Sequence, residues 1–292
     1  MSYSPTSLTF RKPLFSSSRL AAVTLVSSLL AFGNAGAVLI DFTTAEGYSN
    51  GTLNGQPSAT PVWATSSDTG TPFTVNTSGS GSVSLSTAIN SRNAGYNFVT
   101  DFATIGTSFT SYIEFTFVQS TATVGASTTA VSLLYSDTQT SGSINSTTAG
   151  FGRNTLLDGY RMASFAATAT NIAGTALGID SGSGDTTSDV IRMSLTLTRG
   201  ATSSTWSATE TIFNVTTGTQ VATASSSAIN IGVNDPATFF NAMALGASMT
   251  TSGLSSVNIL AYSSPVPEPS TWALITVGGT LLITLRRRRQ QS

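Results

Sequence analysis

Ile191-Arg-Met-Ser-Leu-Thr-Leu-Thr-Arg199 alternates strictly between apolar and polar residues. Side chains on an extended chain point to opposite faces with period two, whereas a helix repeats every 3.6 residues. Ile191, Met193, Leu195 and Leu197 therefore share one face, and Arg192, Ser194, Thr196 and Thr198 the other. Such a strand rests one side on a core and keeps the other in water. Gly200-Ala-Thr-Ser-Ser204 reads as a turn, and Thr205-Trp-Ser-Ala-Thr-Glu-Thr-Ile-Phe213 returns as a partner strand, predicting a hairpin.

The same period extends in both directions along the chain. Ile113-Glu-Phe-Thr-Phe117 alternates, Val131, Leu133 and Tyr135 continue the pattern, and Tyr160, Met162 and Ser164 follow it more weakly. Val38-Leu-Ile-Asp-Phe42 is the expected first strand and Val257-Asn-Ile-Leu-Ala-Tyr262 the expected last. Gly/Ser/Thr/Asn/Asp clusters at Gly79–Ser82, Ser141–Gly150, Asp180–Asp189 and Ala222–Ser227 read as loops. Phe239–Leu245 is the only segment read as a short helical turn. Many short strands with one apolar face predict an all-β fold, a two-sheet antiparallel sandwich.

Both ends differ from this body. Arg11, Lys12 and Arg19 precede the apolar run Leu20–Phe32, which is followed by Ala35-Gly36-Ala37. A basic region, a short apolar region and small residues in an A-x-A pattern predict a signal peptide over residues 1–37, cut after Ala37 by signal peptidase. The body then spans 38–264, and residues 265–292 form a three-part tail. Pro265-Val-Pro-Glu-Pro-Ser270 leads into the uncharged run Trp272–Leu285, and Arg286, Arg287, Arg288 and Arg289 stop it. As a helix that run spans roughly 21 Å, short of the ~30 Å hydrocarbon core, with arginine stems able to extend it. The arginines mark the cytoplasmic side and leave the body outside. Each proline pushes the residue before it toward extended structure, so Val266–Pro269 is expected as an extended strip at the outer boundary. These residues fit either a plain anchor or a processed signal.

Val266-Pro-Glu-Pro-Ser270, the short apolar helix and the arginine-rich end resemble the PEP-CTERM sorting signal of Gram-negative bacteria. The resemblance covers about Pro265 to Arg289 and implies export, transient anchoring in the inner membrane, and removal of the tail by an exosortase. Pro267, Glu268 and Pro269 would then be recognition residues of a substrate, and the destination the cell envelope or the extracellular matrix. Separately, Leu39-Ile-Asp-Phe42 with Gly51-Thr-Leu-Asn-Gly-Gln56 looks like the opening of concanavalin A-like jelly-roll domains. That second resemblance implies a fold and no site.

Composition narrows the chemistry. Outside the two terminal segments 5 Lys+Arg and 12 Asp+Glu remain, so the body carries about −7 and contains no lysine. An acidic body argues against nucleic acid as a partner. Charged residues make up 9% of the chain, and serine and threonine replace them as solvating groups. The chain has no cysteine, hence no disulfide and no thiol chemistry. It has no histidine, which removes the serine-histidine-aspartate triad and most catalytic zinc sites. Paired carboxylates are the surviving catalytic option, yet the body has three glutamates, Glu46, Glu114 and Glu210, and no E-x-D-x-E strand. A non-catalytic protein is the expectation.

Asp180-Ser-Gly-Ser-Gly-Asp185, with Asp189 nearby, could offer oxygen ligands to Ca²⁺, although an acidic hairpin loop is the simpler reading and no metal is expected. Trp63, Trp206, Tyr96, Tyr135 and Tyr160 could stack on sugars, or be core. Glycosylation sequons occur at Asn50, Asn76, Asn145 and Asn214. The functional expectation is a structural or interaction component of the envelope, with a carbohydrate-binding module, Ca²⁺-dependent or not, as its rival. Extracellular polysaccharide is the partner implied by either.

Overall fold

A computed structural model describes residues 39–59, 62–65, 73–85, 92–101, 103–119, 128–136, 148–153, 159–164, 170–179, 187–229, 238–245 and 254–267. The alternating stretch Ile191–Thr198 is a strand, with every apolar side chain buried and every polar one at the surface side. Its predicted partner is Trp206–Asn214, which alternates in the same way.

In chain order the strands are β1 (Leu39–Ile40), β2 (Gly51–Thr52), β3 (Trp63–Thr65), β4 (Phe73–Asn76), β5 (Ser82–Leu85) and β6 (Arg92–Asp101). Then come β7 (Ser108–Gln119), β8 (Thr128–Ser136), β9 (Thr148–Arg153), β10 (Gly159–Ser164) and β11 (Thr170–Ala173). The last are β12 (Ile191–Thr198), β13 (Trp206–Asn214), β14 (Thr219–Ile229), β15 (Thr238–Leu245) and β16 (Leu254–Pro267). Two 3-10 turns, Thr44–Glu46 and Gly174–Leu177, are the helical elements among the described residues.

These strands make two antiparallel sheets. One has nine strands, ordered β14-β13-β12-β7-β16-β5-β4-β2, with β1 also on β16. The other has seven, ordered β11-β10-β9-β8-β15-β6-β3. Their apolar faces meet. Phe115 and Phe117 from β7 lie against Phe151 of β9, with ring centroids 5.4 and 5.3 Å apart, and Phe117 lies 5.0 Å from Tyr160 of β10. A second cluster joins Phe42, Tyr48, Trp63 and Tyr262, and the Trp63 indole N–H donates to the Tyr48 hydroxyl at 2.9 Å. Each such ring, buried, contributes on the order of 1.5–3 kcal/mol, and no disulfide supplements this core. The expected all-β antiparallel sandwich is the observed fold.

Several local expectations are corrected. Ala222–Ser227 is not a loop but the middle of β14, where small and hydroxyl side chains suit an edge strand paired with β13. Phe239–Leu245 is not a helical turn; it lies in β15, held between β6 and β8 by pairing that local propensity does not reveal. The last strand does not stop at Tyr262: it continues to Pro267, so Val266 and Pro267 pair with Thr110 and Phe109 of β7. The Ser141–Gly150 segment also gives up its end to β9, which starts at Thr148. The signal segment, Glu268, Pro269 and the tail beyond them, including the expected apolar helix and its arginines, lie outside the described residues. Among the described residues no helix is long and apolar enough to cross a membrane.

The first strand is shorter than expected, because Phe42 turns the chain at φ 56°. This backbone leaves the N–H groups of Asp41 and Thr43 aimed at one carboxylate, that of Glu46, at 2.9 and 3.2 Å. Successive N–H groups around a left-handed residue form an anion-binding concavity, and here the chain fills it with its own side chain. Gly81 sits against this corner at φ 72°, where a Cβ would strike the Asp41 carbonyl oxygen.

Candidate functional site

The nine-stranded sheet has one face in the core and one in water, and the register of its strands decides what the wet face carries. Pairing places Thr110, Thr196, Thr209 and Ser225 in one row across β7, β12, β13 and β14. Tyr112, Ser194, Thr211 and Thr223 form the next row, and Ser108, Thr198 and Ser207 the one before. On the far side of β7 a further row runs Thr116, Asn258, Ser84, Thr74 and Thr52. Strands lie ~4.8 Å apart and same-face residues ~6.8 Å apart along a strand, so these rows form a grid of hydroxyls at about those spacings.

Several of the hydroxyls satisfy one another. Ser108 and Thr198 are 2.6 Å apart, Thr110 and Thr196 2.7 Å, Thr209 and Ser225 2.9 Å, and the Ser84 hydroxyl donates to Asn258 Oδ1 at 2.7 Å. A hydroxyl has one donor and two acceptor positions, so a single bond within a pair does not exhaust both members. The rows carry one ion pair, Arg192 with Glu114, directly opposite each other on β12 and β7. Arg192 Nε donates to Glu114 Oε1 at 2.9 Å, and the guanidinium lies 4.5 Å over the Tyr112 ring. With its charges paired, this grid is polar and electrically neutral. It offers hydrogen bonds and two aromatic side chains, Tyr112 and Phe213, the latter opposite Arg192.

The three glutamates meet three different fates. Glu46 caps the turn after β1, Glu114 pairs with Arg192, and Glu210 points into the sandwich. Glu114 and Glu210 lie on opposite faces of the sheet. Glu210 is fully buried, and the Gly150 N–H of β9 donates to its Oε1 at 3.1 Å while Oε2 has no partner. Burial pushes its carboxyl up to about 9, and the Gly150 bond opposes only part of that, so the group is protonated at neutral pH.

Of the aromatic residues considered for stacking, Trp63, Trp206, Tyr135 and Tyr160 are all buried. The Tyr96 side chain lies outside the described residues. Tyr112 was not singled out, although its position one residue before Ile113 places it on the polar side of the same alternation. Of the carboxylates considered for a metal, Asp180 and Asp185 lie outside the described residues. Asp189 accepts from Asn214 Nδ2 at 2.8 Å and crowds Gly178, where a Cβ would come within 2.6 Å of its carboxyl carbon. Asn214 donates from the same amide to the Ala176 carbonyl, so this sequon is consumed inside the fold. Asn50 and Asn76 sit at the surface, and Asn145 lies outside the described residues.

No family model and no curated protein matches the chain. Solved structures of similar shape include the metal-free lectin I-B4 of Griffonia simplicifolia, 14% identical over 70% of this chain and 99% of its own, TM-score 0.42. Arcelin-5, a lectin-like defense protein of Phaseolus vulgaris, is 10% identical over 80% of this chain and 100% of its own, TM-score 0.45. A carbohydrate esterase of the Shiga toxin-encoding bacteriophage phi24B is 12% identical over 70% of this chain and 90% of its own, TM-score 0.42. Likenesses of this degree assign no site or ligand. The sandwich itself is established by strand order and register.

Proposed function

We propose that the chain is an exported, non-catalytic component of the cell envelope or extracellular matrix whose hydroxyl face contacts neutral polysaccharide. The observation that carries this reading is the uncharged grid on the outer face of the nine-stranded sheet, with Tyr112 and the Arg192–Glu114 pair set within it. A polyhydroxylated polymer exchanges hydrogen bonds with such a face at little desolvation cost, because every group on it stays paired or reaches water. The acidic body repels anionic polymers. Each described glutamate is committed to a capping, ion-pair or interior role, which supports a binding rather than a hydrolytic function.

In this reading the terminal segments deliver the body. Signal peptidase removes residues 1–37, and an exosortase acts at Pro267, Glu268 and Pro269. One amide bond breaks, its acyl carbon passes to water or an acceptor nucleophile, and the tail leaves with a protonated amine. Deleting Val266–Ser292 and fractionating cells tests delivery: unchanged location and mass refute it. Pull-down on insoluble neutral polysaccharides, with Tyr112→Ala beside the native chain and with chelator present or absent, tests binding. Loss of retention in Tyr112→Ala at unchanged thermal stability is expected. Equal retention of both removes the face from the reading, and loss with chelator alone moves the site to a metal loop.

A further inference from the structure

The two ends of the described chain meet on one strand. Leu39 pairs with Ser263 and Ile40 with Tyr262, while on its other side β16 pairs Tyr262 with Ile113 and Ser263 with Tyr112. At Tyr262–Ser263 the strand is therefore bonded from both sides. The Tyr262 ring is fully buried and lies 4.9 Å from Trp63.

Beyond Ser263 the register shifts, and pairing resumes on β7 with Val266 opposite Thr110 and Pro267 opposite Phe109. In Pro265-Val266-Pro267 both prolines lack an N–H, so only Val266 can donate to a neighbouring strand. A clamped strand thus passes within four residues into a stretch with a single donor. Pro267 belongs to both: it ends the paired strand and begins the Pro-Glu-Pro motif.

We propose that Pro265–Pro267 is a clasp that regulates processing. Paired to β7, it holds the start of the motif against the sheet; unpaired, it hands the protease an extended strip while the body stays folded. Opening is local. It stops at Ser263, because the next pair inward is bonded on both edges and anchored by a buried ring, whereas the proline segment has little to lose. This inference rests on the sorting reading above and adds what controls access to that same motif.

A reversible lock tests it. The chain contains no cysteine, and Thr110 and Val266 are direct cross-strand partners within disulfide reach, so Thr110→Cys with Val266→Cys introduces a single bond across the clasp. The full-length variant is expressed in an exosortase-bearing host, and intact mass distinguishes bonded from reduced chains and tailed from tailless ones. The bonded population is expected to keep its arginine end at least ten times longer than the native chain. Both single variants, and the double variant after reduction, lose it at the native rate. A bonded population processed as fast as the native chain overturns the clasp, as does failure of the bond to form, since the pairing would then be absent. A native chain that never loses its arginines overturns the sorting reading, and that outcome is visible without the variant.

Discussion

Replacing Glu210 with glutamine should flatten the dependence of stability on pH. In the folded protein the carboxyl is buried between the sheets and pushed up to about 9, from an ordinary 4.5. Its partners across the strands, Leu195 and Ala224, carry no charge, and the one polar contact of its carboxyl among the described residues is the Gly150 N–H. Between those two pH values the folded state holds a proton that the unfolded state has lost. Stability therefore falls as pH rises, by about 1.4 kcal/mol per unit. The contribution is complete below about 4.5 and gone once pH has climbed through 9. From pH 5.5 to 8.5 the loss is about 4 kcal/mol, a large share of the 5–15 kcal/mol that usually holds a domain together. Ordinary carboxylates have already titrated at the lower limit. Tyr135, whose hydroxyl burial pushes well above its usual range, titrates beyond the upper one. Glutamine keeps the oxygen that accepts from Gly150 and never ionises. Urea unfolding followed by the fluorescence of buried Trp63 and Trp206 at three pH values across that window provides the assay. The native chain should lose stability steeply, and Glu210→Gln less than a third as much. Parallel curves, or a flat native curve, would show that the carboxyl is not held neutral in the interior.

Three further outcomes follow from packing. Trp63→Ala should destabilise the fold by about 3–5 kcal/mol in the same urea assay, since it empties the ring cluster and removes the indole N–H that donates to the Tyr48 hydroxyl. Gly81→Ala should destabilise by at least about 2 kcal/mol, because a positive φ and a collision with the Asp41 carbonyl coincide there; a neutral result would mean the corner is not packed as described. Asn214→Ala should cost about 1–3 kcal/mol by leaving the Ala176 carbonyl and Asp189 without their donor, and calorimetry that finds the midpoint unchanged would refute the role of that amide.

How much was legible in the sequence differs from strand to strand. β12, β13 and β7 were readable because each has one wet face and one dry face along its whole length, which writes a period of two directly into the residues. β14 and β15 were not. In β14 the exposed edge tolerates alanine and serine, which look like loop, and β15 owes its extended form to neighbours on both sides rather than to its own pattern. The candidate site was half legible. That Thr196, Thr198 and Arg192 face water follows from alternation alone. That Thr196 meets Thr110, and Arg192 meets Glu114, depends on which residues seventy to ninety positions apart share a rung.

From the order of residues alone come the expectation of export, the all-β class, the absence of thiol and imidazole chemistry, and the faces of the strongest strands. Those properties are local or compositional, so no partner is needed to express them. Assembly of the sheets decided the rest: which aromatics became core, why one glutamate keeps its proton, and how the last strand carries Val266 and Pro267 into a paired register. Each of these depends on burial or on a hydrogen bond to a distant segment, and a linear pattern encodes neither until the chain has closed on itself.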